Sequence, residues 1–219
     1  MKFNKDIWDI DDGIKVVVAD ASHEKYIDTI LQTINESAKE RGSDIATRTH
    51  EYLAQKMRER KAVIAIDSKD EFAGFCYVES WEHKHYVANS GLIVAHKYRG
   101  HHLATRIKMV AFTLSRLRWP QAKLFGLTSQ IAVMRINTML GYVPVTFAQL
   151  THDDAYWAGC GTPEEPRCIN CDVLARTGRK YCVCTAMLYD PVDHEGEPLP
   201  VQLPEDVLKE IKLDSQSEK

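Results

Sequence analysis

The chain has 219 residues, 44% hydrophobic and 27% charged, with a formal net charge of −3. That balance suits a soluble globular domain with a proper core and excludes a disordered chain, and the small net charge gives no general attraction to nucleic acid or an anionic membrane. No apolar run approaches a bilayer span and the first nine residues lack the apolar stretch of a signal peptide. A cytoplasmic location without membrane or nucleic-acid partners is therefore expected, with the six cysteines as thiols or metal ligands and not a disulfide framework.

Residues 14–21 read as a first strand. Ser22 is placed to cap a helix running to about Arg41, in which Tyr26, Ile27, Ile30, Leu31, Ile34 and Ala38 share one face. Residues 47–60 predict a second helix with Tyr52, Leu53 and Met57 inward. Three strands follow, at 62–66, 72–80 and 86–95, and the hairpin-length connections Lys69-Asp70 and Glu82–His85 make them antiparallel. From Gly100 a long helix carries Leu103, Ile107, Val110, Ala111, Leu114 and Leu117 on one face and ends near Trp119-Pro120. A strand at 122–129, a helix at 131–140 stopped by Gly141, and a strand at 143–148 complete a crossover that needs a parallel pair.

The segment 181–189 supplies a last strand, so 151–181 reads as a cysteine-rich insertion. Residues 1–191 then form one domain and 192–219 a polar tail, with a short helix at 205–213 and a disordered end. The fold class is mixed α/β (α+β), a mostly antiparallel central sheet flanked by helices.

The spacing Cys160-x7-Cys168-x2-Cys171-x10-Cys182-x-Cys184 is how thiolates are gathered into a tetrahedral zinc site, four positions being open to five cysteines. Cys182 and Cys184 would share a strand face. The site expected is structural, because all-thiolate shells leave no position for substrate. Buried thiols, a redox pair or an iron-sulfur cluster are the competing readings, and Cys76 reads as core.

The stretch Ser90 to Thr105 organises the rest. A buried strand, Gly91–Ala95, feeds through a short basic turn into the long helix, whose unpaired N–H groups and dipole favour an anion, with Arg99 adding charge. A phosphate or diphosphate is the natural guest.

Val94-Ala-His-Lys-Tyr-Arg-Gly-His-His-Leu-Ala104 resembles the acyl-coenzyme A segment of the GNAT superfamily of N-acyltransferases. Its pattern is a hydrophobic strand, an aromatic, Arg or Gln, two residues, Gly, one residue, and Gly or Ala. Tyr98, Arg99, Gly100, Leu103 and Ala104 fit, while His102 stands where the middle Gly is usual. The order of elements over about 14–150 also matches, and Leu140-Gly-Tyr142 resembles the family's second marker. Asn137 occupies the position of the Tyr that commonly protonates the departing thiolate. Val87-Ala-Asn-Ser-Gly-Leu-Ile-Val94, Leu124 to Val145, Tyr156-Trp-Ala-Gly-Cys160 and Cys182 to Pro191 are similar to a bacterial branch associated with N-acylglutamate formation in arginine biosynthesis.

The resemblance implies transfer of an acetyl or succinyl group from acyl-coenzyme A to a primary amine, with glutamate or another carboxylate-bearing amine as leading acceptor. It implies coenzyme contacts from Leu92, Ile93, Val94, Arg99, Gly100, His101, His102, Leu103, Ala104, Thr105 and Asn137, the first three by backbone N–H groups at the thioester carbonyl. For the base it offers Glu79 first, then Glu82, His83 and His85, or a water held by Asn89 and Ser90. The acid falls to Tyr142, Thr128 or water. Arg48 is the candidate for an acceptor carboxylate, since guanidinium forks bind carboxylates bidentately. A non-catalytic coenzyme-binding regulator on the same fold and a zinc-module interaction protein are the alternatives, and a homodimer is left open.

Overall fold

In the computed structural model, which describes residues 12–41, 48–159 and 184–217, period-two apolar runs become strands and period-four stripes lie across them. The elements are β1 (Lys15–Val18), α1 (Ile27–Arg41), α2 (His50–Arg58), β2 (Ala62–Ile66), β3 (Phe72–Trp81), β4 (Tyr86–Val94) and α3 (Leu103–Arg118). They continue with β5 (Lys123–Thr128), α4 (Ile131–Met139), β6 (Val143–Val145), α5 (Asp154–Ala158), β7 (Thr185–Tyr189) and α6 (Glu205–Ser217).

A seven-stranded sheet runs β1-β2-β3-β4-β5-β7-β6, antiparallel throughout except for the β4–β5 pair. Strand alternation sends Val63, Cys76, Val78 and Val87 to one face, where α3 packs with Ile107, Ala111 and Leu114. Ile64, Phe75, Tyr77 and Ile93 go to the other face, under Ile27, Ile30 and Ile34 of α1 and Leu53 and Met57 of α2.

Local chemistry sets the helix starts. Asp20, not Ser22, caps the first helical segment: its carboxylate accepts from the Ser22 N–H at 2.9 Å, and a 3-10 turn over Ala21–Tyr26 precedes α1. The Thr49 hydroxyl accepts from the Tyr52 N–H and starts α2 later than the apolar pattern indicated. The strand expected over 143–148 stops at Val145, where Thr146 opens a capped 3-10 turn.

The segment expected to be a polar tail is part of the core. Leu203, Val207 and Ile211 are buried beside α3, and Arg60 ties α6 down through Asp206 at 2.7 Å and Glu210 at 2.8 Å. Leu203, Val207 and Ile211 stand at i, i+4 and i+8, but Pro, Glu, Asp and Lys between them give the segment the overall composition of a tail. No helix among the described residues is long and apolar enough to cross a membrane.

Candidate active site

The site begins where two parallel strands part. β4 pairs with β5 only at Tyr86↔Lys123, Val87↔Leu124 and Ala88↔Phe125. From Asn89 to Val94, β4 keeps β3 as its partner but has no pairing to β5, leaving a wedge whose closed end lies at Ala88 and Phe125. A bulge lies in the middle of that free edge. One residue of β3, Cys76, stands opposite Gly91 and Leu92, between the pairs Phe75↔Ile93 and Tyr77↔Ser90. Gly91 takes φ +66°, and a Cβ there would meet the Tyr77 ring at 2.6 Å, so only glycine fits without displacement.

At the end of β4 the chain turns into α3. Gly100 has φ +87° with open space about it, and His102, the N-cap, sits in the left-handed region at φ +57°. The backbone conformation that glycine favours is thus adopted by an exposed histidine. Among the described residues no side chain caps α3, and the first amides bonded back into the helix are those of Thr105 and Arg106, both to the His102 carbonyl. The N–H groups at the open end of the wedge remain oriented for an anion.

Arg99 points elsewhere. Its guanidinium donates to Glu40 at 2.9 Å, Ser37 at 2.8 Å and the Val94 carbonyl at 3.2 Å, tying the turn to α1. His101 is exposed, whereas Leu103 and Thr105 are buried and Ala104 half-buried.

Two polar side chains flank the closed end. Asn89 donates to Ser115 Oγ at 2.8 Å and accepts from the Tyr142 hydroxyl at 3.3 Å. On the other strand, Gly126 leaves bare backbone beside Asn137, which is 1% exposed. The Asn137 Oδ1 is buried without a hydrogen-bond partner among the described residues, which is costly unless a donor arrives. Burial drives the Tyr142 phenol well above its ordinary range, so it donates a hydrogen bond more readily than a proton.

The α1/α2 face carries a second group. Tyr52 and Lys56 both hydrogen-bond the Glu79 carboxylate, one to each oxygen, and Lys56 is nearly inaccessible. Arg48 Nε donates to the Tyr77 hydroxyl at 2.6 Å, with the guanidinium 5.6 Å from that ring. Burial raises both phenols, Tyr52 far above its ordinary value, and Arg48 partly offsets the rise at Tyr77. Lys56 and Tyr52 thus hold the carboxylate from both of its oxygens.

Of the other sequence candidates, Glu82 is pinned to the turn at 151–152 by the Thr151 hydroxyl and the His152 amide. His83 and His85 are exposed at the hairpin tip, and Thr128 accepts from the Gln130 amide. Asn89 and Ser90 leave β4 on opposite faces, opposite Val78 and Tyr77 respectively, so they do not line one face together.

Cys160, Cys168, Cys171 and Cys182 lie outside the described residues, as does most of the insertion. Cys184 is half-buried immediately before β7, and among the described residues no group of three or more His, Cys, Asp or Glu is arranged to hold a metal. Two features escaped the sequence reading: the bulge, which needs the register, and Lys108, which is 2% exposed. Its helical spacing to Phe112 and Ser115 was the available signal.

This architecture is the fold of the GNAT acetyltransferases. N-acetylglutamate synthase from Neisseria gonorrhoeae, solved with coenzyme A and N-acetyl-glutamate, superposes with a TM-score of 0.55 at 12% identity over 81% of this chain. The match spans 35% of that longer protein. A Mycobacterium tuberculosis protein in complex with CoA gives 0.56 at 14% identity, covering 80% of this chain and 98% of its own. A putative acetyltransferase from Acinetobacter baylyi gives 0.50 at 12%, covering 81% and 91%. No protein-family model and no curated protein matches the sequence.

Proposed function

We propose that this chain is an acyl-CoA-dependent N-acyltransferase that moves an acetyl or succinyl group to a primary amine, with glutamate or a similar carboxylate-bearing amine as acceptor. One observation carries the reading: the β4–β5 wedge opens onto an α3 N-terminus that no side chain among the described residues caps. A long ligand with a diphosphate at one end and amide groups along its arm suits such a groove. The amides of α3 would take the diphosphate, and the unpartnered Asn137 oxygen would accept from an amide of the arm. The unpaired β4 edge near the bulge offers N–H groups for the thioester carbonyl.

The acceptor would enter from the α1/α2 face, where Arg48 supplies a cation for a carboxylate and Glu79 a base, directly or through water. The bound N-acetyl-glutamate of the Neisseria structure supports this acceptor class. The test is thiol release from acetyl- and succinyl-coenzyme A against a panel of amino acids. Turnover with glutamate supports the reading, and binding without turnover favours a coenzyme-sensing regulator, which the replacement of two family positions by His102 and Asn137 keeps in view.

The cysteine cluster at 160–184 is proposed to hold one structural zinc. Metal analysis of the purified protein should find about one per chain, with unfolding on chelation. A stable, metal-free protein removes that assignment.

A further inference from the structure

Lys108 is a buried cation with no acid paired to it among the described residues. Among the described residues its ammonium makes no ion pair and no hydrogen bond. Its neighbours are the Tyr142 ring, with Nζ 5.4 Å from the centroid, and the Cys76 thiol. Burying an uncompensated charge is costly, and a methionine of similar shape would pack there without that cost. The position makes sense if an anion comes to it.

Its place in the groove says which one. Lys108, Phe112 and Ser115 recur along one side of α3; Phe112 packs on Tyr142 and Ser115 bonds Asn89. Ser115 and Tyr142 meet Asn89, the first β4 residue beyond the paired closed end, while Lys108 lies about two turns nearer the uncapped amides, beside Cys76, which stands opposite Gly91 and Leu92 at the bulge. With the diphosphate at the open end, the arm runs inward and brings its sulfur end to the bulge, where the β4 edge would hold the thioester carbonyl.

We propose that Lys108 is the proton donor to the departing coenzyme thiolate, acting from α3 at the level of the β4 bulge. The assignment rests on the acyltransferase reading. As the amine nitrogen forms its bond to the carbonyl carbon, the C–S electron pair returns to sulfur. The Nζ proton passes to that sulfur, giving the free thiol and a neutral lysine. The attacking nitrogen sheds its proton to base or solvent, and solvent reprotonates Lys108.

Burial lowers the Lys108 ammonium to about 8, near the ordinary thiol value of about 8.5, so the transfer is close to balanced. The titratable groups facing it leave it uncompensated. Cys76 is pushed up to about 11 by burial and stays neutral, as does Tyr142, on which Arg116 and Tyr189 bear.

The test titrates the thiolate absorbance of coenzyme A bound to the full chain, with desulfo-coenzyme A as the control for binding. In the wild type the bound thiol should ionise about one pH unit or more below free coenzyme A, a tenfold shift in its equilibrium. Lys108→Met should abolish the shift, keep desulfo-coenzyme A affinity within about twofold, and lower kcat by about tenfold or more with acceptor KM unchanged. Lys108→Arg keeps the charge without a releasable proton, so it should retain the thiol shift and lose turnover. An unshifted thiol in the wild type, or the same shift in Lys108→Met, overturns the assignment. Should Lys108→Met not fold, the wild-type and Lys108→Arg titrations decide. No coenzyme binding at all ends the acyltransferase reading, whereas turnover with an unshifted thiol ends this assignment alone.

Discussion

Replacing Gly91 by alanine tests the bulge from which the site is built. At φ +66° a residue with a Cβ costs about 1–2 kcal/mol of backbone strain. The added carbon would stand 2.6 Å from Tyr77 Cε1 and 2.9 Å from Cδ1, where ordinary carbon contacts are about 3.5–4.0 Å, so the ring must retreat by roughly 1 Å. Tyr77 has little freedom to do so: it is 3% exposed, edge-on to Tyr52 with ring centroids 5.5 Å apart, and bonded to Arg48. Overpacking of that kind adds about 1–3 kcal/mol, for a total of about 2–5 kcal/mol. In a domain of this size that lowers the melting temperature by roughly 4–20 °C. Gly100→Ala is the control, since its φ of +87° carries the backbone strain but nothing among the described residues lies within 4 Å of the new carbon. Thermal melts of both variants should place Gly91→Ala clearly below Gly100→Ala. Coincident melts, or a Gly91→Ala protein as stable as the wild type, would refute the close approach of Tyr77.

His102→Gly relieves the left-handed strain at the α3 N-cap and should keep or strengthen coenzyme A binding by calorimetry, whereas Gly100→Val, a branched residue at positive φ, should weaken it severalfold. Stability should also depend on pH through Lys108. Its folded value is depressed to about 8, so between there and the ordinary lysine value of about 10.4 the unfolded chain holds the extra proton and wild-type stability rises with pH. In urea unfolding, Lys108→Met should therefore be the more stable protein at pH 7, with the gap narrowing by pH 10; a pH-independent gap contradicts the buried ammonium. Truncation after residue 198 exposes the sites of Leu203, Val207 and Ile211, at about 1.5–3 kcal/mol for each buried side chain lost. It should leave a chain that melts far lower or fails to fold, and a truncated protein with native stability would show that α6 is dispensable.

Much of the fold was legible because it is local. The 62–66 strand, the long helix and the 131–139 helix were written in apolar period and in the stop signals Pro120 and Gly141. The antiparallel block followed from hairpin-length connections. The turn from β4 into α3 was legible for the same reason: strand, basic turn and amphipathic helix are consecutive, and a helix N-terminus carries its orphan amides wherever it packs.

What pairs with what across the sheet was not local, and there the tertiary structure decided. Arg99 reads in sequence as charge at an anion site, but α1 brings Glu40 and Ser37 to it and uses it as a tether. Asn89 and Ser90 are adjacent in sequence and opposite in space. Lys108 looks like one solvated lysine on a helix until α3 is covered on more than one side, and residues 199–211 look like tail until α3 needs that cover. Sequence period fixes which way a side chain leaves its own backbone, while burial, the parting of β4 from β5 and the partners of a charge depend on elements many residues away that periodicity cannot place.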